Sequence, residues 1–207
     1  MKKLFFILIL LLGIMFAFGQ KYDTIITNAV YTSYFNYSLK VPVVVKYKLY
    51  KGGGECNRNK FRFTNDIKKL KTASGKDYAG SGYDKGHLAN AEDFAYDCKL
   101  DKLTFRYYNC VPQAPEMNRG IWKEYETKIR DLSQTDSLLI IMVNTFDNHY
   151  MGNGVAVPSQ FIKVVYSLTS HKVLLSFVVS NTSTPKAVEM PVAVLDKKYK
   201  IKIEKFR

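Results

Sequence analysis

Three residue types set at wide spacing give this chain its chemistry. His87 stands in Tyr83-Asp84-Lys85-Gly86-His87-Leu88-Ala89, where a histidine follows a glycine. Asn118 opens Asn118-Arg119-Gly120-Ile121-Trp122-Lys123-Glu124-Tyr125-Glu126. Histidine takes up a proton near neutral pH, because its unperturbed pKa is about 6.5. An asparagine carbonyl is a neutral oxygen ligand for a hard cation that keeps most of its water. A glutamate eight residues further on can hold such waters. One imidazole, one amide oxygen and one carboxylate together suit metal-assisted hydrolysis of a phosphodiester.

The elements around these residues follow from periodicity. Leu39, Val41, Val43, Val45, Tyr47 and Leu49 alternate over Ser38–Tyr50, which predicts a strand. Pro42 within it points to a sheet edge. Lys51-Gly-Gly-Gly54 ends it in a turn, and residues 57–78 read as loop with a short helix. Leu103–Val111 reads as a buried aromatic strand. Ile121, Trp122, Tyr125, Ile129 and Leu132 recur at helical spacing, with Asn118 at the N-cap or in the first turn. Asn118, Trp122 and Glu126 are then successive neighbours on one side of that helix, with Trp122 turned to the core. Ser137–Val143, Phe161–Leu168 and Val173–Ser180 read as core strands. Strands around one good helix indicate an α+β domain.

Composition bounds the rest. The chain has 207 residues, 47% hydrophobic and 24% charged, as expected of a globular domain and not of a disordered one. Lys2 and Lys3 precede an apolar run from Leu4 to Phe18, which reads as a signal peptide over 1–19, leaving 20–207 as one domain. The run is too short for a membrane span. A secreted or periplasmic protein without stable membrane association is therefore expected. The formal charge of +13 falls to +11 once Lys2 and Lys3 are set aside. Such a surplus permits a polyanionic partner, nucleic acid or an anionic surface, without choosing between them. Cys56, Cys98 and Cys110 allow one disulfide in three ways; Cys98–Cys110 closes the shortest loop and is preferred.

Taken together, several spaced motifs resemble the DNA/RNA non-specific endonucleases of the ββα-metal fold, the group that includes the Serratia extracellular nuclease and mitochondrial endonuclease G. The stretch runs from about Arg58 to Asp131. It takes in Arg58 with Phe63 and Asp66, Tyr78 to His87, Asn109 with Pro112-Gln113, and Asn118-x-Gly-x-Trp122-x-x-x-Glu126. A weaker likeness continues over Val157–Val165. The resemblance implies a mostly antiparallel sheet with a metal-site helix, and hydrolysis of DNA and RNA without sequence preference to leave 5′-phosphate ends. His87 would be the general base and Asn118 the ligand of Mg²⁺, for which Mn²⁺ or another divalent cation could substitute. Glu126 would fix metal-bound waters. Arg58 would hold the scissile phosphate, while Asn109 and Gln113 would shape the site around metal and phosphate. Asp84 would orient its loop. Lys85 stands where the family carries arginine, which keeps the charge and loses the two-pronged grip on phosphate. That departure keeps a second expectation open, a silent relative that only binds nucleic acid or anionic surfaces; a homodimer is compatible with either. A toxin-like effector held by an inhibitor is a third class, disfavoured by a simple leader with no delivery domain.

His149 and His171 lack such neighbours and read as surface residues. Asn144 and Asn148 read as turn residues, Asn181-Thr-Ser as a chance glycosylation pattern, and the basic tail from Lys197 as a solvated strand face.

Overall fold

A computed structural model of the chain describes residues 21–207; the leader expected over 1–19 lies outside them. Nine strands are present among the described residues: β1 Thr24–Thr27, β2 Tyr31–Asn36, β3 Val41–Leu49, β4 Asp84–His87, β5 Cys110–Gln113, β6 Leu138–Met151, β7 Val155–Ser167, β8 Val173–Ser180 and β9 Ala187–Glu189. Seven of them form one antiparallel sheet in the order β1-β2-β3-β6-β7-β8-β9. β4 and β5 form a separate antiparallel ribbon. The helices are α1 Gly75–Tyr78, α2 Cys98–Thr104, α3 Pro115–Met117, α4 Lys123–Leu132 and α5 Val192–Tyr199, with a π-turn over Asn118–Trp122 joining α3 to α4. No described helix is long and apolar enough to cross a membrane.

Period-two alternation splits the central strands between two cores. Leu138, Ile140 and Met142 of β6, with Phe161 and Val165 of β7, face the side that carries the ribbon and α4. Leu139, Ile141 and Val143, with Ile162, Val164 and Tyr166, face the other side. That second face is covered by the tail. Leu195, Ile201, Ile203 and Phe206 are buried there, so the C-terminal residues form a helix and a short 3₁₀ turn instead of a solvated strand. Their lysines had hidden the apolar spacing.

Other expectations are corrected by the same packing. Pro42 lies in a strand flanked on both sides, not at a sheet edge. It sits by the register shift at Tyr34/Phe35, and the β3–β6 ladder begins only at Val44, so its missing N–H costs no ladder bond to β6. Its carbonyl accepts instead from Nδ2 of Asn144, at 2.9 Å. Asn144 is thereby a buried strand residue, and β6 continues through irregular pairing to Met151. Leu103–Val111 is not one strand. α2 ends at Thr104, a 3₁₀ turn spans Tyr107–Asn109, and β5 starts at Cys110.

The disulfide joins Cys56 to Cys98, not Cys98 to Cys110. Cys110 is buried opposite His87 in the ribbon, with its sulfur 3.3 Å from the Tyr78 hydroxyl. Cys98 opens α2 on the surface, out of reach of that position. Asn181, too, is buried. Its amide donates to the carbonyls of Pro112 and Pro158 and accepts from the Ala114 N–H, tying the end of β5 to β7. A side chain so engaged is not open to glycosylation in the folded protein.

Candidate active site

The ribbon and the helix after it position the chemistry. β4 carries Asp84, Lys85, Gly86 and His87; β5 runs beside it and passes directly into α3, the π-turn and α4. Gly86 is required there. A Cβ at that position would lie 2.1 Å from the Gln113 side chain, which packs flat on the glycine from the neighbouring strand. Pro115 starts α3 at a helix position that needs no N–H, and this puts Asn118 within reach of β4.

Asp84 fixes the amide of Asn118. Nδ2 of Asn118 donates to Asp84 Oδ2 at 3.0 Å, while Arg119 grips the same carboxylate with Nε at 2.8 Å and Nη2 at 2.5 Å. Burial works to raise the Asp84 carboxyl, but the bonds from Arg119 and Asn118 outweigh it and hold the group below its ordinary value. An amide that donates inward presents its carbonyl oxygen outward. That leaves Asn118 Oδ1 turned away from Asp84, as the end that could meet a hard cation. Among the described residues no cluster of three or more His, Cys, Asp or Glu side chains could hold a metal. A hard cation met by a single protein oxygen would have to keep most of its water shell.

His87 lies three residues along β4 from Asp84, about 10 Å at the usual strand rise. Its ring is clasped by Phe63 and Phe105, each with its centroid 4.6 Å away. Phe63 also meets Tyr107, which stacks with Tyr78, so an aromatic wall runs beside the ribbon. His87 keeps part of its surface open, yet no protein group pairs with its buried Nε2. Burial, with the Arg58 charge adding to it, pushes the imidazole down to about 3, so the ring is neutral at physiological pH. Lys85 points to the same side of β4 as His87; its Nζ lies 5.7 Å from the Tyr78 ring. A groove of about 870 Å³ opens along the wall, lined in part by Lys40, Lys71, Phe63 and Tyr107.

The remaining predicted residues divide. Arg58 stands close enough to His87 to act on its charge, but its guanidinium is engaged by Glu92, and Nε lies 3.4 Å from the buried Asp101. Burial, against the pull of Arg58, pushes the Asp101 carboxyl up to about 6. Asn109 does not line an open surface. It is fully buried and bonds to both backbone groups of Ala89 and to the Thr104 carbonyl, so it holds the chain just after His87. Gln113 is fully buried as well, with both amide atoms unpartnered. Neither is placed to touch a phosphate directly. Glu126 faces inward and pairs with Lys163 of β7 at 3.7 Å. Sequence reasoning gave Asp84 only a loop role and left out Arg119, Phe105 and Lys163. No short-range pattern marks them, because their partners lie 18 to 37 residues away.

Comparison with known proteins bears on the family and the fold. The model of the DNA/RNA non-specific endonuclease family matches residues 14–204. Mitochondrial endonuclease G of Homo sapiens is 30% identical over 129 residues, which are 56% of this chain and 43% of that protein. The mitochondrial nuclease EXOG of Xenopus laevis is 30% identical over 128 residues, 55% of this chain and 36% of that one. The chain thus spans half or less of the length of these relatives. A solved structure of an EndoG/EndoGI complex superposes with a TM-score of 0.75, at 23% identity, covering 86% of this chain and 84% of the other. It supports the ββα-metal α+β fold. The names of these relatives place them in mitochondria, which overturns the expectation of an exported, periplasmic or secreted protein.

Proposed function

The chain belongs to the DNA/RNA non-specific endonuclease family, and from that premise we propose that it cleaves DNA and RNA internally with the help of Mg²⁺, leaving 5′-phosphate and 3′-hydroxyl ends. The observation that carries this reading is the pairing of an amide oxygen and a neutral imidazole about one ribbon. Asn118 Oδ1 is turned away from Asp84, and His87, neutral and with part of its ring open although its Nε2 is buried, lies on the same strand as that aspartate.

In the mechanism, His87 accepts the proton of a water as that water attacks phosphorus in line. Enclosure by Phe63 and Phe105 keeps the imidazole unprotonated beforehand, while it also lowers its basicity. Asn118 would hold the divalent cation, with Glu126 steadying its waters; bound there, such a cation stabilises the charge growing on the 3′ oxygen. Lys85 and Arg58 supply positive charge to the phosphoryl oxygens. For Arg58 this means sharing its guanidinium between phosphate and Glu92. Asn109 acts at one remove, through the backbone it fixes behind His87. The groove beside the aromatic wall gives a strand two lysines and two ring faces, neither of which reads base identity. Contacts of that kind carry no sequence code.

One observation favours the second reading, a relative that binds without cutting: Arg58 is already neutralised by Glu92 and Asp101, and Lys85 cannot replace its bidentate grip. Incubation with plasmid DNA and with RNA, with and without Mg²⁺, separates the two. The nuclease reading expects metal-dependent cleavage of both, with product ends that a 5′-phosphate-dependent exonuclease degrades. Binding without cleavage across Mg²⁺ and Mn²⁺ would favour the alternative.

A further inference from the structure

The segment Val157–Val165 resembles the family without contributing a residue to the reaction as described. Within β7, Phe161, Lys163 and Val165 point to the same face, and the register places Lys163 between Met142 and Phe177 on the neighbouring strands. Its immediate neighbours on that face, Phe161, Val165, Met142 and Phe177, are all apolar. Lys163 is nevertheless only 1% exposed. An ammonium taken out of water is costly unless it is paired, so what it touches explains why it is there.

It touches one helix row. Its Nζ lies 3.7 Å from Glu126 Oε1 and 4.0 Å from the centroid of the Trp122 ring. Trp122 and Glu126 are the residues four and eight beyond Asn118. The Trp122 ring is itself held by Phe161 and Phe177, at 5.5 and 6.1 Å. Further along α4, Arg130 bonds to Asp93 at 2.6 Å, and Asp93 accepts from the Tyr47 hydroxyl at 2.8 Å, so the helix is pinned to the sheet at two points.

The kink between Asn118 and Trp122 gives this pinning a functional sense. Gly120, with φ −102° and ψ −114°, is not helical, so Asn118 lies on one side of the kink and Glu126 on the helix beyond it. Helical spacing alone therefore does not fix where the Glu126 carboxylate stands relative to Asn118. Lys163 grips that carboxylate by one oxygen, leaving Oε2 without a partner among the described residues.

We propose that Lys163 is a positioning residue of the nuclease site, holding the Glu126 carboxylate in place beyond the kink that follows Asn118 so that its second oxygen serves the cation's water shell. This rests on the nuclease reading above. Loss of such a support costs about 10- to 100-fold in metal affinity in comparable sites.

The test measures Mn²⁺ binding by electron paramagnetic resonance without substrate, and the Mg²⁺ dependence of plasmid cleavage, on the full chain. Lys163→Met and Glu126→Gln should each raise the metal concentration for half-saturation about 10-fold. Their combination should be no more than about 2-fold worse than either alone, since both act through one carboxylate. Lys163→Arg, which keeps a cation over Trp122, should recover much of the loss. Should the methionine variant fail to fold, Lys163→Gln is judged by the same criteria. Unchanged Mn²⁺ binding with only a lowered melting temperature, or losses that multiply in the double variant, would overturn the proposal. If the wild type never cleaves yet Mn²⁺ binding still depends on Lys163, the nuclease reading fails and the positioning role stands.

Discussion

The enclosure of His87 makes a quantitative claim about acid stability. In the unfolded chain its imidazole has a pKa near 6.5; in the folded protein burial and the Arg58 charge push it down to about 3. A depressed pKa means that the unfolded state binds the proton first. The stability contributed by a neutral, buried His87 is therefore complete above about pH 6.5, and it is lost as the pH falls from there towards 3. At pH 5 the linkage amounts to up to about 2 kcal/mol. Asp93 and Asp101, which burial raises to about 6, work in the opposite sense and gain stability on acidification. Comparing the wild type with His87→Gln removes both. Urea denaturation of the two proteins at pH 8 and pH 5 should show the gap between them moving by about 2 kcal/mol in favour of the variant at pH 5. A gap that stays constant within about 0.5 kcal/mol would mean that the imidazole titrates in the fold as it does in water, and the enclosed base would be lost from the account.

Three further outcomes follow from the packing around the ribbon. Asp84→Ala frees the Asn118 amide to turn, so cleavage should fall at least about 10-fold and demand more Mg²⁺, while circular dichroism stays that of the folded protein. Gly86→Ala forces a Cβ to 2.1 Å from Gln113; overpacking of this kind costs about 1–3 kcal/mol, read as a lowered melting temperature. Peptide mapping without reduction should recover Cys56 linked to Cys98, and Cys56→Ser with Cys98→Ser should lose about 4 kcal/mol, given the separation of 42 residues.

The sequence was most legible where one physical signal dominated. Alternation gave β3 and β8 close to their observed bounds and helical spacing gave α4, but β7 was read only from Phe161, whereas it starts at Val155. It failed where side-chain type and burial part company. Asn144 is polar yet fully buried, so β6 was cut short; Ile201, Ile203 and Phe206 are core residues spaced among lysines, so the tail was read as a solvated face. The aromatic run before Cys110 packs against the sheet through turns, which periodicity cannot distinguish from a strand. For the site, spacing picked out His87, Asn118 and Glu126, whose residue types announce their chemistry. It could not show that Asn109 spends its amide on Ala89 and Thr104, that Arg58 is held by Glu92, or that Lys163 reaches Glu126 across 37 residues of chain. Those are contacts between distant segments, and a single sequence carries no local mark of them.

The proposed reaction stands or falls with the imidazole. Nicking of supercoiled plasmid by His87→Ala, with Mg²⁺ and at protein concentrations where gel shift shows DNA binding equal to that of the wild type, tests it directly. The account predicts that the variant binds and does not nick, while the wild type does both; nicking by the variant at the wild-type rate would contradict it.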